Sequence, residues 1–194
     1  PGSQVGDASF KDVNGDGIVT PADRTYLGNG NPHFVFGLNN EFRYKGFSLT
    51  AFFQGATGFK LYNVPRYLLE DGVGKDALNR WTADNENTDI PRNGYLKAGY
   101  GFGPIDRFVE DASYIRMKLL TLGYSFKVGQ GTSLKFLKTL KVYASGQNLL
   151  TITNYKGADP EVNTQGGNSN LRAGEDYTAF PAYKIMTFGA QINF

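Results

Sequence analysis

The residues best suited to chemistry lie near the start of the chain, in the run DVNGDGIVTPAD over residues 12–23. Side chains with oxygen atoms stand at loop positions one, three, five and twelve, and glycine stands at position six, as in calcium loops of EF-hand type. Calcium takes roughly six to eight oxygen ligands, and the glycine permits the sharp turn that wraps them around the ion. The spacing predicts a structural Ca²⁺ site whose ligands are Asp12, Asn14, Asp16, Asp23 and the backbone carbonyl of Ile18.

The same run has an alternative interpretation as an Asx-rich turn without a bound ion. Asn-Gly and Asp-Gly sequences form turns unaided. The twelfth position is Asp23 rather than glutamate, whose longer side chain usually binds calcium through both oxygens. No pair of helices is predicted around the run, so we interpret it as a calcium loop outside an EF-hand.

Other residues with chemical potential are few. Trp81, Tyr95 and Tyr100 lie in a long segment without strand alternation and offer a stacking surface for sugars. The favoured alternative is that Trp81 anchors this segment on a small core of its own. Asp159 and Glu161 form a candidate carboxylate pair of a glycosidase, but nothing in the sequence sets the separation of about 5–9 Å that such a pair needs.

Composition excludes several classes of function. The 194 residues carry 20 basic and 18 acidic side chains, and this balance gives no electrostatic case for nucleic-acid binding. There is no cysteine and one histidine, His33, which we interpret as structural, so neither thiolate metal sites nor disulfides are expected. No apolar run approaches the roughly 18 residues of a membrane-spanning helix, although alternating barrel strands never produce such a run. The chain begins at Pro1 without an initiator methionine, which suggests a mature or cut piece.

The elements that position these residues are predicted to be antiparallel strands. Apolar and polar residues alternate with a period of two, as a strand with one apolar face requires. The predicted strands cover residues 33–44, 47–55, 114–127, 140–153 and 183–194. In the last strand, the residues from Met186 to the terminal Phe194 alternate with Thr187, Gly189, Gln191 and Asn193. Periodicity alone does not decide whether the apolar face lies in a soluble core or against lipid.

The lengths of the connections favour a membrane barrel. The connections at 45–46 and 128–139 are short or moderate, whereas those at 1–33, 56–107 and 154–180 are long. Outer-membrane barrels alternate short periplasmic turns with long external loops, and this rule places Phe194 on the periplasmic side. Alternation also places Arg116 and Lys118 on the apolar side of their strand, at its beginning, outside the hydrocarbon region.

The motifs, taken together, resemble the C-terminal region of SusC/RagA-type TonB-dependent outer-membrane transporters. The likeness covers nearly the whole chain, and its motifs occur in family order. They are DVNGDGIVTPADRTYLGNGNP, FVFGLNNEFRYKGFSLTAFFQGATG, WTADNENTDIPR, RFVEDASYIRMKLLTLGYSF, LKVYASGQNLLTITNYKGADPE and the terminal phenylalanine. The family pattern carries asparagine where this chain has Leu119 and Leu120, and we attach no functional meaning to the difference.

The resemblance implies an all-β fold, in which antiparallel strands form the C-terminal part of a transmembrane barrel of about 22 strands. It divides the chain into a calcium-like external loop at 1–33, a hairpin at 34–55, a long external loop at 56–107 and the last three strands at 108–194. The plug domain would lie upstream. Five strands cannot close a barrel, because an open edge in lipid leaves backbone groups unpaired.

The function implied by the resemblance is import of oligosaccharides or peptides across the outer membrane, without catalysis. The partners implied are a SusD-like surface lipoprotein acting as a lid, the TonB complex through the missing upstream segment, outer-membrane lipid, and the barrel-assembly machinery, which would read Phe194. The external loops, with Trp81, Tyr95 and Tyr100, would face the substrate or the lid. The alternative function is a soluble secreted β domain, stabilised by calcium, that binds glycans.

Overall fold

The computed structural model describes residues 4–72, 74–94, 105–128, 137–161 and 173–194. Eight strands dominate these ranges, and the helices are short. No helix in the described ranges has the length and apolarity to cross a membrane. The strands are β1 Phe34–Tyr44, β2 Phe47–Thr57, β3 Lys60–Asn63, β4 Val109–Asp111, β5 Tyr114–Lys127, β6 Thr139–Thr153, β7 Glu175–Asp176 and β8 Ile185–Asn193. Helix α1 spans Val64–Asp71, and 3-10 helices span Pro21–Asp23, Lys75–Asn79 and Asp106–Phe108.

The main sheet has five antiparallel strands in the order β1-β2-β5-β6-β8. Its register aligns the apolar faces of all five strands. One row of partners across the sheet contains Phe42, Leu49, Leu122, Ala144 and Phe188. The turn at Lys45 and Gly46 joins β1 to β2 at one end of the sheet. The long connections that precede β1, follow β2 and follow β6 lie at the other end. The five predicted strands are therefore confirmed, with ends shifted by at most two residues.

The apolar face of the main sheet is exposed along its length. Phe188 is 79% exposed, Phe42 is 61% exposed and Leu122 is 53% exposed. A soluble β-sandwich buries this face against a second sheet about 10 Å away. Within the described residues no second sheet covers it, because the only other sheet lies at the end of the strands.

A small three-stranded sheet, in the order β4-β3-β7, lies at the end where the long connections meet. Its strands pack with the ends of β2 and β5 around a compact apolar core. The buried residues of that core are Ala56, Phe59, Leu61, Ala112, Tyr114 and Tyr155. The sequence led us to expect little regular structure over 56–107, and that expectation is wrong, because β3 and α1 lie within this segment.

Helix α1 starts where its sequence provides an N-cap. The side-chain oxygen of Asn63 accepts a hydrogen bond from the N–H of Arg66 at 2.9 Å. Pro65 follows in the first turn, where its missing N–H costs nothing. An eight-residue helix between a four-residue strand and a 3-10 turn is too short to show a clear period in the sequence.

A β-bulge in β5 determines which face Arg116 occupies. Phe52 pairs with Leu119 and Phe53 pairs with Met117, so the register passes over Lys118. Below the bulge, Met117 lies on the apolar face and Arg116 lies on the polar face beside Thr151, its partner in β6. The prediction that Arg116 lies on the apolar side is wrong, because simple alternation contains no extra residue.

Deletion of Met117 together with Lys118 in the full-length protein tests this role of the bulge. Without these two residues, strict alternation from Leu120 places Leu119 on the polar face and moves the Arg116 charge onto the apolar side. The variant should therefore give at least about tenfold less folded protein, since a misplaced charge of this kind costs about 2–4 kcal/mol in the middle of a bilayer and less near its surfaces. Folded protein is measured by its heat-modifiable mobility on gels.

The matched control is deletion of Lys118 alone, which removes only the extra residue of the bulge. Strict alternation then keeps Met117 on the apolar face and Arg116 on the polar face, so this variant should assemble at a level close to that of the unmodified protein. Assembly of the double deletion at the unmodified level would contradict the assignment of Arg116 to a face by the bulge.

Candidate functional site

The apolar face carries a cluster of aromatic rings at its turn end. The rings of Phe47 and Tyr124 lie edge to face with centroids 4.6 Å apart, and those of Tyr124 and Phe126 do the same at 4.6 Å. Tyr44 stands beside them, with the ammonium group of Lys45 5.1 Å from its ring centroid. Rings with a polar group at one edge and a neighbouring cation are typical of the boundary between hydrocarbon and water.

The opposite face of the main sheet is formed mainly by polar and small residues. One row across its strands contains Glu41, Thr50, Thr121, Ser145 and Thr187. The hydroxyl oxygens of Thr121 and Ser145 lie 2.9 Å apart, at hydrogen-bond distance. Hydroxyl groups of this kind can exchange partners with water, so this face suits an aqueous interior.

Glycine on this face admits an aromatic ring. A Cβ at Gly189 would lie 2.5 Å from the ring of Tyr143, which crosses from the neighbouring strand β6. Any larger residue at position 189 would displace that ring. The Tyr143 ring therefore lies across Gly189 where β6 meets β8.

An ion network centred on Glu70 fastens α1 to the small sheet. Glu70 is 4% exposed and receives hydrogen bonds from the guanidinium groups of Arg66 and Arg107, both at 2.8 Å. Arg66 also reaches Glu110 in β4 at 2.8 Å. Each oxygen of the buried Glu70 carboxylate pairs with one arginine, and these ion pairs offset the free-energy cost of removing the charges from water.

A second ion network centred on Arg116 fastens the connection after β6 to the polar face. Arg116 is 3% exposed and donates hydrogen bonds to Asp159, to Glu161 at 2.7 Å and to Thr151 at 2.9 Å. Lys118 reaches the same Glu161 carboxylate at 2.6 Å. The two cations lie more than 40 residues before the two carboxylates in the sequence, so the pairs meet only in the fold.

The charge state of Asp159 does not support the glycosidase hypothesis. Burial acts to raise the pKa of Asp159, but the Arg116 guanidinium and the N–H groups of Ala182 and Glu161 outweigh burial and lower that pKa. A general acid of a glycosidase needs a raised pKa. The carboxylates of Asp159 and Glu161 instead serve as ion-pair partners.

The predicted calcium loop is compact, and its oxygens hold the backbone. Asp12 accepts hydrogen bonds from the N–H groups of Gly15 and Gly17, both at 2.7 Å. Both glycines have positive φ, so the turn requires them. Asp16 accepts a hydrogen bond from the N–H of Ile18 at 2.8 Å. The loop thus has the tight turn that the sequence predicts at its sixth position.

Asp23 closes the loop. It is 8% exposed and accepts hydrogen bonds from the N–H groups of Val13 at 2.9 Å and Thr20 at 2.6 Å. These bonds, first that from Thr20, lower the pKa of Asp23. Within the described residues, no three acidic, histidine or cysteine side chains are grouped as metal ligands. Calcium binding stays a prediction.

Trp81 contacts the N-terminal segment. Its indole covers Gly6, where an added Cβ would lie 2.3 Å from the ring. The N–H of Arg92 donates to the carbonyl of Gly6 at 2.8 Å, and the Arg92 guanidinium pairs with Asp7. This geometry fits the interpretation of Trp81 as an anchor. Tyr95 and Tyr100, the other two predicted platform residues, lie outside the described residues.

The structure also places His33 and Phe194. The N–H of His33 donates to the carbonyl of Thr57 at 3.0 Å, and its ring lies against Gly58 at the start of the hairpin. Phe194 follows β8 and is 71% exposed.

Sequence reasoning missed the residues of the two ion networks. The pairing of charges 43 residues apart, as in Arg116 and Asp159, leaves no local signal.

The chain is similar to parts of known outer-membrane receptors. No protein-family model matches it. It is 39% identical to TonB-dependent receptor P3 of Formosa agariphila over 99% of the chain and 19% of the relative. It is 26% identical to TonB-dependent receptor SusC of Bacteroides thetaiotaomicron over 95% of the chain and 17% of the relative. The chain spans about a fifth of the length of these relatives.

Solved structures of a peptide importer share the fold. The RagAB peptide importer in its closed-closed state matches 97% of this chain and 21% of its own, with a TM-score of 0.72 and 27% identity. The open-open state matches 84% of this chain and 17% of its own, with a TM-score of 0.66 and 30% identity.

The packing of Trp81 on Gly6 predicts a shared effect of two substitutions. Gly6→Ala places a methyl group in the indole and imposes positive φ on alanine, at a cost of about 1–3 kcal/mol. Trp81→Ala removes the cover from the same contact. We expect both to release residues 4–11, seen as faster amide hydrogen exchange there.

Because both changes break one contact, the double variant should exchange no faster than the faster single variant. Tyr26→Ala is the matched control, since that ring is 79% exposed. It should leave exchange in residues 4–11 unchanged. Additive effects of the Gly6 and Trp81 substitutions would contradict the anchor interpretation.

Proposed function

Because the chain belongs to the SusC/RagA-type family of TonB-dependent receptors, we propose that it forms part of the barrel wall of an outer-membrane importer. The protein is located in the outer membrane of a Gram-negative bacterium. The observation that carries the proposal is the five-stranded sheet with one exposed apolar face and one polar face. In this assignment the apolar face contacts lipid and the polar face lines the interior.

The exposed face favours lipid over water as its surroundings. Monomeric soluble proteins rarely expose contiguous apolar patches larger than a few hundred Å², and larger ones mark protein or membrane contacts. Here the patch extends across five strands, and its aromatic rings gather at the turn end, as in an interfacial girdle. The alternative of a soluble glycan-binding domain would leave Phe42, Leu122 and Phe188 in water.

The proposed cargo is an oligosaccharide or a peptide. Both classes present many hydrogen-bonding groups, and the polar face offers the hydroxyls of Thr50, Thr121 and Ser145 in one row and the amide of Gln54 further along β2. The relatives are receptors and importers rather than enzymes.

The proposed partners are a SusD-like surface lipoprotein and the TonB complex. The segments over 56–107 and 154–180 would contact the lipoprotein, and the TonB complex would act through a part of the protein outside this chain.

Calcium is proposed as a structural ion of the loop at residues 12–23. The donors are hard oxygens, which suit Ca²⁺. The carboxylate oxygens of Asp12 and Asp16 each accept one N–H bond, and a carboxylate oxygen has a second lone pair with which to bind a cation. The ion would stabilise the loop that precedes β1 and take no part in catalysis.

Adjacent arginine substitutions on the two faces of β5 test the membrane assignment. Leu122→Arg places a charge on the apolar face, and Thr121→Arg places the same charge on the polar face. We expect Leu122→Arg to destabilise the full-length protein in bilayers by about 2–4 kcal/mol. Thr121→Arg should cost less than about 1 kcal/mol. Urea unfolding in lipid vesicles measures both, and equal losses would reject lipid contact.

Trypsin cleavage beside the predicted calcium loop tests metal binding. Lys11 and Arg24 are exposed on either side of it. Calcium at about ten times its dissociation constant should slow cleavage at these residues roughly tenfold, because it binds only the ordered loop. Strand pairing elsewhere, followed by circular dichroism, should not change.

Asp12→Ala is the control for this experiment, since it removes the first predicted ligand. Its cleavage should be fast with calcium and with chelator alike. If the unmodified protein is cleaved at one rate under both conditions, the loop is an Asx turn without an ion.

A further inference from the structure

We propose that residues 155–161, here called the strap, are locked onto the polar face by Arg116 and form a fixed constriction of the interior at the loop end. The strap leaves the end of β6 and turns back over the start of β5, where Arg116 lies. The inference rests on the proposed function in one respect, since the polar face must be the inner wall of the barrel.

The first support is the burial of Arg116. A side chain on the polar face of an uncovered sheet would be exposed, as Arg43 is on β1 with 77% of its side chain accessible. The side chain of Arg116 is 3% accessible and that of Asp159 is 4% accessible. The strap is therefore the cover, and it lies directly on this face.

The second support is the chemistry of the contact. The guanidinium of Arg116 uses separate nitrogens for Thr151 beneath it and for Asp159 and Glu161 above it. Its carbon also stands 5.6 Å from the ring centroid of Tyr114. A planar fork with five donors can serve strand and strap together, and a lysine ammonium has neither that reach nor that geometry.

The third support is that Asp159 also holds the return to β8. Its Oδ2 accepts a hydrogen bond from the N–H of Ala182 at 2.8 Å, and its Oδ1 accepts one from the N–H of Glu161 at 2.9 Å. Asn148, at positive φ in β6, donates to the carbonyl of Tyr183 at 3.0 Å. The lock thus fixes both ends of the connection between β6 and β8.

The start of the strap is fixed independently of Arg116. The N–H of Lys156 donates to Glu110 at 2.9 Å, and the hydroxyl of Tyr155 donates to buried Asp176 at 2.6 Å. Glu110 belongs to the ion network of α1, so the strap links the two networks. With both ends held, the strap cannot swing out of the interior as a lid would.

Hydrogen exchange in the full-length protein tests the lock. The amides of Glu161 and Ala182 report on it directly, because each donates to Asp159. Removing one partner of a buried pair leaves an uncompensated charge. We therefore expect Arg116→Gln and Asp159→Asn each to speed exchange at these amides by about a hundredfold. The double variant leaves no unpaired charge and should speed exchange by only about tenfold.

Two further variants separate the lock from general damage. Arg43→Gln breaks an exposed pair with Glu41 on the same face and should leave strap exchange unchanged. Arg116→Lys keeps the charge but lacks the fork, so it should restore exchange only in part. If Arg116→Gln fails to assemble, Asp159→Asn carries the test alone, because it keeps the shape of the side chain.

The outcomes are distinct. Fast exchange in both single variants with recovery in the double variant supports the lock. Unchanged exchange in Asp159→Asn, or losses in the double variant equal to the sum of the single losses, would overturn it. Failure of the membrane assignment would appear separately, in the stability of Leu122→Arg, and would leave the lock intact as a contact while removing its role in the interior.

Discussion

A single register across five antiparallel strands is the constraint on which the rest of this structure depends. Side chains alternate between faces with a period of two, so a slip of one residue in any strand would exchange its apolar and polar sides. The partners Phe42, Leu122 and Phe188 hold one row of the apolar face across the sheet. Because that row is exposed rather than packed, the register separates two environments instead of building a core.

The bulge at Lys118 is the one place where β5 departs from strict alternation, and it changes the face on which the residues before it lie. Leu120 and Leu122, in the middle of β5, stay on the apolar face, while Arg116 lies on the polar face. There the guanidinium meets Asp159 and Glu161, which unbroken alternation would place out of reach. The loop end of the sheet can therefore carry buried charge without placing it against lipid.

The sequence alone was sufficient for the strands and insufficient for what lies at their ends. Long runs such as Phe34–Tyr44 and Ile185–Asn193 show their period directly, so strand existence and facing were predictable. The four-residue β3 and the eight-residue α1 are shorter than any period can identify. A bulge adds one residue without a compositional sign, and the partners of Arg116 lie more than 40 residues away. Contacts of that range are decided by tertiary packing.

The two ends of the sheet differ in the length of their connections and in what holds those connections in place. At the turn end, Lys45 and Gly46 complete the connection in the fewest residues, and positive φ at both positions makes that turn possible. At the loop end, ordering the long connections costs conformational entropy. A small apolar core around Leu61 and two ion networks offset that cost for the described parts of these connections. Since buried ion pairs add little net stability but demand defined geometry, their use here indicates that the position of these loops matters more than the strength with which they are held.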